Sequence, residues 1–369
     1  MRNICIVFML ILMGACSGEK QSPEESQTPE SLLLKNYEPE SIFQVPETNV
    51  KKAKYQAIDI HAHDYASNKK EVKKWVQAMD SKGIRKTIIL TQSTGSKFDS
   101  IVEKYSGYPD RFEIWCGLDY SGYKSDSWPE GAIEELERCH DMGAEGVGEL
   151  GDKGFGLSYC DPSAKGMHIN DERMKPILQK CAELNMPVNV HIADPYWMYI
   201  PMDSTNDGLM NAWDWKIDTT NENILLHGEL LQTLEEAVRD NPQTTFIVPH
   251  FLNCTHDLSM LGKLFEKYPN LYADNSARYA ETAAIPRFVQ SFYKKYPERL
   301  LYGTDMEFYI ENMYETTFRI LETPDEHFYP EVDVSEFNYH WPLYGINLPD
   351  EVLQQVYQTN AIKIIDNTN

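Results

Sequence analysis

The sequence is short of positive charge. Its 369 residues include 34 lysines and arginines against 57 aspartates and glutamates, which gives a formal net charge of −23. Such a surface repels the phosphate backbone of nucleic acids and the headgroups of anionic lipids. We therefore expect no nucleic-acid partner and no electrostatic attachment to membranes. A local basic pocket for a small anion remains compatible with this balance.

Paired cysteines are also missing. The chain has seven cysteines, and no two of them are spaced as CxxC. A chain of this size has enough apolar material for a core and does not need a disulfide framework. We expect the cysteines beyond the N-terminal region to be free, small, buried side chains. They are Cys116, Cys139, Cys160, Cys181 and Cys254.

No apolar run is long enough for a membrane-spanning helix. The longest one, from Ile4 to Met13, follows Arg2 and is followed by two small residues and Cys16. This order resembles the bacterial lipoprotein signal, in which cleavage before the cysteine leaves a thiol for lipidation. We predict a signal peptide over residues 1–15, lipidation of Cys16, and a lipid-anchored protein of the cell envelope that faces the periplasm or the exterior. An ordinary cleaved signal peptide or a buried strand is the alternative.

Residues 16–54 are rich in Ser, Glu, Pro, Gln and Lys, which predicts a flexible tether. From Tyr55 onward, short apolar runs alternate with amphipathic helical stretches, as in repeated β-α units. Eight such units predict a (β/α)8 TIM barrel of the α/β class over residues 55–367. The predicted strands are Ala57–Ile60, Thr87–Leu90, Phe112–Leu118, Gly146–Leu150, Val188–Ile192, Thr245–Val248, Leu271–Asp274 and Leu300–Gly303.

Two connections are longer than usual: residues 195–228 after the fifth predicted strand and residues 306–348 after the eighth. Long loops at the carboxyl ends of barrel strands often form lids or pocket walls, so we predict lid-like insertions here. Tyr196 and Trp197 of the first insertion are candidate substrate-binding residues, although such aromatics often only pack a lid. Arg278, just after the seventh strand, is a candidate partner for a substrate carboxylate, or for Asp274 or Glu281.

Histidines and carboxylates follow the predicted strands at the ends where barrel active sites lie. His61 and His63 are two residues apart at the end of the first strand, so their imidazoles face the same side. Two imidazoles on one strand are half of a transition-metal site. The carboxyl ends of all strands meet around one pocket, so further groups are expected to join them. They are Glu149 after the fourth strand, His191 after the fifth, His250 after the sixth and Asp305 after the eighth.

This order of residues resembles the amidohydrolase superfamily. The segments IDIHAHD, PVNVHIADP, PHFLN, YGTDM and TNAIKII are similar to those of the amidohydrolase-related (amidohydrolase 2) family over residues 55–367. The resemblance implies a divalent metal, most often zinc, held by His61, His63, His191 and Asp305. It also implies that Asp305 acts as general base and then acid, and that His250 orients the attacking water or polarises the substrate carbonyl.

The role of Glu149 stays open between two alternatives. The segment GVGELG is similar to the strand-four segment of TatD-like hydrolases, in which a glutamate bridges two metals. Glu149 would then be a ligand in a two-metal site. Alternatively, Glu149 hydrogen-bonds a ligand histidine or a lid loop from outside the metal's coordination sphere. The resemblance therefore predicts one or two ions.

The sequence favours a hydrolase that acts on a C–O or C–N bond of a small molecule, such as a lactone, ester or amide. A nonoxidative decarboxylase with the same metal ligands is the alternative within the family. A TatD-like nuclease is disfavoured by the acidic charge balance. A non-catalytic surface lipoprotein that binds a ligand is the alternative from another class. The expected partner is a small-molecule substrate, with homo-oligomers left open.

Overall fold

A computed structural model of the chain describes residues 28–310, 312–329 and 340–365. The chain divides into two compact units, residues 1–38 and 39–369. In the first unit, Leu34–Asn36 form a short 3-10 turn. The predicted signal peptide and its lipidation site Cys16 lie outside the described residues. Within the ranges given above, none of the helices has both the length and the apolarity that crossing a bilayer requires.

The second unit begins earlier than the boundary predicted at residue 54. Thr48 donates hydrogen bonds from its backbone N and its Oγ1 to the carboxylate of Asp325, at 2.8 and 2.7 Å. The backbone N of Ala53 donates to the carbonyl of Lys82 at 3.0 Å. Residues 39–54 therefore pack on the α/β unit instead of continuing the predicted tether. Their polar composition did not reveal this, because their partners lie far away in the sequence.

The second unit alternates strands and helices. The strands are β1 (Ala57–Ala62), β2 (Ile84–Leu90), β3 (Phe112–Trp115), β4 (Val147–Asp152), β5 (Gly156–Leu157), β6 (Ala164–Lys165), β7 (Val188–Ile192), β8 (Phe246–Val248), β9 (Leu271–Asp274) and β10 (Leu300–Leu301). The helices are α1 (Lys69–Lys82), α2 (Gly95–Tyr105), α3 (Trp128–Asp141), α4 (Met174–Glu183), α5 (Leu209–Ala212), α6 (His227–Asp240), α7 (Leu258–Lys267), α8 (Tyr279–Ala283), α9 (Pro286–Lys295), α10 (Met313–Glu322), α11 (Asp350–Gln354) and α12 (Asn360–Ile365).

All eight predicted strands are present, and neighbouring ones pair in parallel. They form two sheets: β1-β2-β3, and β10-β9-β8-β7-β4 extended by the short β5 and β6. The hairpin of β5 and β6 is antiparallel and was not predicted, because two-residue strands leave no periodic signal. The α/β class and the β-α alternation are confirmed.

A continuously closed barrel is not confirmed for the residues that the structure describes. Between β3 and β4 the sheets are joined by one isolated parallel bridge, Cys116 to Val147, and by single backbone hydrogen bonds beside it, from Glu145 N to Ile114 O and from Gln92 N to Gly148 O. Between β1 and β10, Ile60 N donates to Tyr302 O at 3.0 Å and Asp305 N donates to His61 O at 2.8 Å. Strands β1 and β10 do not form a regular ladder, because the backbone N–H groups that directly follow β10 donate to acceptors outside β1 or to a side chain of β1. Tyr302 N donates to Val356 O, Gly303 N to Asn275 Oδ1, and Thr304 N to Asp59 Oδ1.

The core has an inner and an outer part. Side chains of β1, β2, β3, β8, β9 and β10 form an inner cluster with residues of α12, which matches the filled interior of a barrel. Every residue of β1 is buried, as expected for a strand covered on both faces. The five cysteines named above are free and buried, as predicted.

Candidate metal centre

The predicted histidines and carboxylates meet at the carboxyl ends of the strands. Two of these strands are irregular: the register of β1 shifts between Asp59 and Ala62, and that of β4 shifts between Val147 and Leu150. Such bulges re-aim the side chains that follow them. The shift in β1 directly precedes His63 and contains His61, while the shift in β4 contains Glu149. The irregular registers therefore help to turn these side chains toward one point.

Five side chains form what we call the acceptor cluster: His61, His63, His250, Glu149 and Asp305. His61 Nε2 lies 3.8 Å from Glu149 Oε1 and 3.6 Å from Asp305 Oδ1. His63 Nε2 lies 3.6 Å from Glu149 Oε2 and 3.3 Å from Asp305 Oδ1. His250 Nε2 lies 3.8 Å from an oxygen of each carboxylate. All three imidazoles therefore direct the same nitrogen toward the same two carboxylates.

The other ring nitrogen of each imidazole, Nδ1, contacts an oxygen atom outside the acceptor cluster. A carbonyl or an ionised carboxylate only accepts hydrogen bonds, so we assign the ring hydrogen of the neutral form to Nδ1 in all three histidines. The Nε2 lone pairs then face the carboxylates of the cluster. The Nδ1 partners are the Asp274 carboxylate for His61 (3.1 Å), the Leu90 carbonyl for His63 (2.9 Å) and the Ser276 carbonyl for His250 (2.9 Å).

The chemistry of the acceptor cluster fits a divalent metal. Imidazole nitrogens and carboxylate oxygens converge there, and the buried His61 Nε2 has no hydrogen-bond partner among the residues that the structure describes. A buried acceptor in this situation is costly unless a proton or a cation satisfies it. The ligand atoms of His61, His63 and Asp305 lie within 4.8 Å of one another, and so do those of His61, Glu149 and His250. Imidazole and carboxylate together suit zinc and similar ions.

Electrostatic coupling within the acceptor cluster is strong. Burial alone would lower the pKa of His61, but Asp274, Asp305 and Glu149 outweigh it and raise the pKa to about 10. Burial would raise the pKa of Asp305 and of Glu149, but the surrounding histidines lower both. The pKa of His250 is lowered well below its usual value, first by burial and then by Arg278 and His191. The carboxylates are therefore ionised and the site attracts positive charge.

His191 contacts the acceptor cluster with its other ring nitrogen. Its Nδ1 lies 3.0 Å from Glu149 Oε1, and its Nε2 lies 2.9 Å from the carbonyl of Ala193. In the described residues it is not among the groups close enough to share one ion. The structure brings His191 to Glu149, and the role of His191 as a direct metal ligand, which the resemblance implied, stays a prediction.

Several strand ends turn through left-handed backbone at the site. Gln92, Ala193, His250, Ala277 and Asp305 have φ between 53° and 62° and follow β2, β7, β8, β9 and β10. Non-glycine residues rarely adopt this conformation, which costs on the order of 1–3 kcal/mol at each position. Strain of this kind concentrates at functional sites, and here it bends the chain sharply where the site residues are displayed.

Asp274 is a functional candidate that sequence reasoning placed only as a partner for Arg278. Its fully buried carboxylate holds His61 Nδ1 with Oδ2, while Oδ1 accepts from the backbone N of His250 (3.3 Å) and of Ser276 (3.0 Å). The Oγ of Ser276 contacts both Asp274 and His250 Nδ1. One carboxylate therefore orients two histidines from different strands. The sequence could have indicated Asp274 as a site residue, since it ends a predicted strand just as Asp305 follows one.

Asp274→Asn is expected to weaken binding of a divalent metal by about 10- to 100-fold, because an amide holds the His61 tautomer less firmly. Competition with a chelator of known affinity measures the change. Asp325→Asn is the matched control, since Asp325 is a buried carboxylate paired with Thr48 and Arg319, which do not belong to the acceptor cluster. We expect Asp325→Asn to lower stability without changing metal affinity. Equal affinities in wild type and Asp274→Asn would contradict this assignment.

A cavity of about 260 Å³ opens beside the acceptor cluster. Arg278 lines it, and its contact with a substrate carboxylate stays a prediction. Tyr196 and Trp197 do not line the cavity. Tyr196 stacks on His256, with 4.4 Å between the ring centres, and Trp197 packs against Trp341, with 5.7 Å between the ring centres. The aromatic residue of this insertion that lines the cavity is Trp215. The lining residues that sequence analysis did not select are Gln92, Lys153, Tyr159, Asp194, Met198, Asn211, Trp215 and Ala277.

Comparisons with known proteins agree with this architecture. Residues 58–366 match the sequence profile of the family described as Amidohydrolase, and no curated protein matches the chain. The structure is similar to an uncharacterized TIM-barrel protein from Bordetella bronchiseptica, with a TM-score of 0.53 and 13% identity over 85% of this chain and 99% of the other. It is also similar to 2,6-dihydroxybenzoate decarboxylase from Rhizobium, with a TM-score of 0.50 and 17% identity over 87% and 100%. At these identities the likeness concerns the fold alone.

Proposed function

The chain belongs to the amidohydrolase family, and we propose that it is a metal-dependent hydrolase that cleaves a C–O or C–N bond of a small molecule, such as a lactone, an ester or an amide. One observation carries the proposal. The Nε2 atoms of His61, His63 and His250 converge on the carboxylates of Glu149 and Asp305, and both carboxylates are ionised. A cation satisfies such a set, and a bound divalent cation would make hydroxide available at neutral pH.

We assign His61, His63 and Asp305 as metal ligands, and Glu149 as a further ligand. Glu149 directs Oε1 toward His61 and His250, and Oε2 toward His63. Two residues outside the acceptor cluster also contact Glu149: Gln92 Nε2 donates to its Oε2 at 3.4 Å, and His191 Nδ1 lies 3.0 Å from its Oε1. Zinc is the proposed ion from the mixture of nitrogen and oxygen donors. The position of Glu149 between the histidines suits one ion or two.

A bound divalent ion supplies Lewis acidity, which makes a water acidic enough to yield hydroxide at neutral pH and polarises a substrate carbonyl. The protein side chains supply the proton transfers. Asp305 is about one-quarter exposed on the cavity side, so it has access to water and to a leaving group. We assign it as the base that takes the proton from water and then returns it to the leaving group. His250, with its Nε2 lone pair turned to the same place, orients the water.

The cavity limits the substrate. Ligand cavities usually measure about 300–1,000 Å³, and a volume of about 260 Å³ lies just below that range. A small molecule fits such a space, whereas a folded polymer does not. The acidic surface supports the same exclusion for nucleic acids.

The proposal is tested with purified protein and a panel of lactones, esters, amides and carboxylated rings. We expect hydrolysis that is lost on chelation and restored by zinc, with metal content measured in parallel. Release of carbon dioxide from carboxylated rings without hydrolysis would assign the protein as a decarboxylase instead. Protein that purifies without stoichiometric metal and takes none up would contradict both enzyme assignments and favour a ligand-binding lipoprotein.

A further inference from the structure

Lys153 places a positive charge on the wall of the cavity. It directly follows β4, and its Nζ lies 2.7 Å from Asp194 Oδ1 and 5.5 Å from the ring centre of Trp215. All three residues line the cavity. The same oxygen of Asp194 lies 4.0 Å from His191 Nε2, and His191 contacts Glu149. A chain of contacts therefore connects the Lys153 ammonium, through Asp194 and His191, to Glu149 of the acceptor cluster.

The two sides of the cavity differ in chemistry. The acceptor cluster offers negative charge, whereas Lys153 and Arg278, which also line the cavity, offer hydrogen-bond donors. Lys153 has three N–H groups, of which Asp194 accepts one, and its side chain is 30% exposed. Arg278 has five N–H groups; its hydrogen bonds are to Asn253 Oδ1 and to the carbonyl of Ala277, and its Nε lies 3.5 Å from Glu281 Oε1, one of the partners that the sequence suggested. These two cations line a cavity in a chain whose formal net charge is −23.

We propose that Lys153 and Trp215 form a subsite for an anionic group of the substrate, a carboxylate that does not itself react, while the bond to be cleaved lies at the acceptor cluster. The inference rests on the proposed hydrolase function and names its substrate class: small cyclic or branched molecules that carry a carboxylate. A carboxylate binds the free N–H groups of Lys153 beside Asp194, and the apolar part of the molecule packs on Trp215.

Trp215 makes this subsite more than a surface lysine. An indole face beside the ammonium excludes water from one side of it, and a charge pair is stronger where water is excluded. Trp213, two residues earlier, provides a comparison. It is similarly exposed, at 52% against 47% for Trp215, and Lys216 lies 3.7 Å above its ring. Neither Trp213 nor Lys216 lines the cavity.

The test uses two probes that differ in charge and little in shape, cyclohexanecarboxylate and cyclohexanecarboxamide, titrated calorimetrically into the metal-loaded protein. We expect the acid to bind at least about tenfold more tightly than the amide, because only the acid gains the charge-assisted contact with Lys153. Lys153→Met is expected to bring this ratio close to one. Trp215→Leu is expected to weaken both probes, because each loses the apolar wall.

Lys216→Met and Trp213→Leu are the matched controls, and we expect both to bind the probes as the wild type does. Lys153→Arg keeps the charge and is expected to keep most of the preference, which separates a binding role from a folding defect. The proposal is overturned if acid and amide bind equally to the wild type, or if the preference survives in Lys153→Met. A preference that survives there and disappears when the metal is removed places the carboxylate on the metal instead.

The two proposals fail separately. Stoichiometric metal together with equal binding of acid and amide removes the Lys153 subsite and leaves the hydrolase proposal intact. A metal-free protein that still prefers the acid, and loses the preference in Lys153→Met, retains the subsite and removes the hydrolase proposal.

Discussion

His61→Ala is expected to abolish stoichiometric metal binding and to lower hydrolytic activity by at least about a thousandfold, since hydroxide is no longer supplied at neutral pH. His61 is central because its Nε2 approaches both Glu149 and Asp305 and, within the described part of the chain, has no hydrogen-bond partner. Elemental analysis of the purified variant, alongside activity on the substrate found in the panel, measures both losses.

The control for this variant is His140→Ala. His140 is an exposed histidine near the end of α3, paired only loosely with Asp141 at 3.9 Å. We expect it to retain full metal and activity. Circular dichroism and thermal melting of His61→Ala are needed as well, because the change leaves the buried carboxylate of Asp274 without its imidazole partner. A folded His61→Ala variant with full metal content would refute the acceptor cluster as the metal site.

Asp305→Asn is expected to lower kcat by about 10²- to 10⁴-fold, because an amide cannot accept the proton from water or return it to the leaving group. The substitution changes the charge and hardly changes the shape. Asparagine also tolerates the left-handed backbone of this position, where φ is 54°. The backbone that presents the side chain is therefore expected to persist. Steady-state kinetics at saturating metal separates the proton-transfer role from weaker metal binding.

Glu307→Gln is the matched variant for Asp305→Asn. Glu307 lies two residues further along the same segment and is partly buried, but it does not line the cavity. The loss of one negative charge is the same, and we expect activity within about twofold of wild type, since a charge outside the cavity is largely screened. If both variants lost activity equally, the effect of Asp305→Asn would be a general field effect and not proton transfer.

The wall of the cavity shows where inference from a loop sequence stops. Residues 195–228 contain several aromatics, and nothing in their spacing distinguishes one that lines a cavity from one that packs elsewhere. Tyr196 and Trp197 pack on His256 and Trp341, whereas Trp215 reaches the cavity. An irregular loop has no fixed period that relates sequence position to direction, so this choice depends on tertiary contacts.

Lys153 was missed for a related reason. It follows the fourth strand, as Arg278 follows the seventh, and the same rule about strand ends was available for it. It did not stand out because lysines are common on surfaces and its partner Asp194 lies far along the sequence. Only the meeting of β4 and β7 in one sheet brings these two residues together.

By itself the sequence determined the α/β class, the eight parallel strands and the set of histidines and carboxylates at their carboxyl ends. Those features depend on apolar runs and on a side-chain period of two, which are local properties of the chain. Only the tertiary structure decided that Asp274 holds His61 and His250, that His191 contacts Glu149, and that Trp215 lines the cavity. These are contacts between distant strands and loops, and their geometry depends on register shifts and left-handed turns that no local pattern encodes.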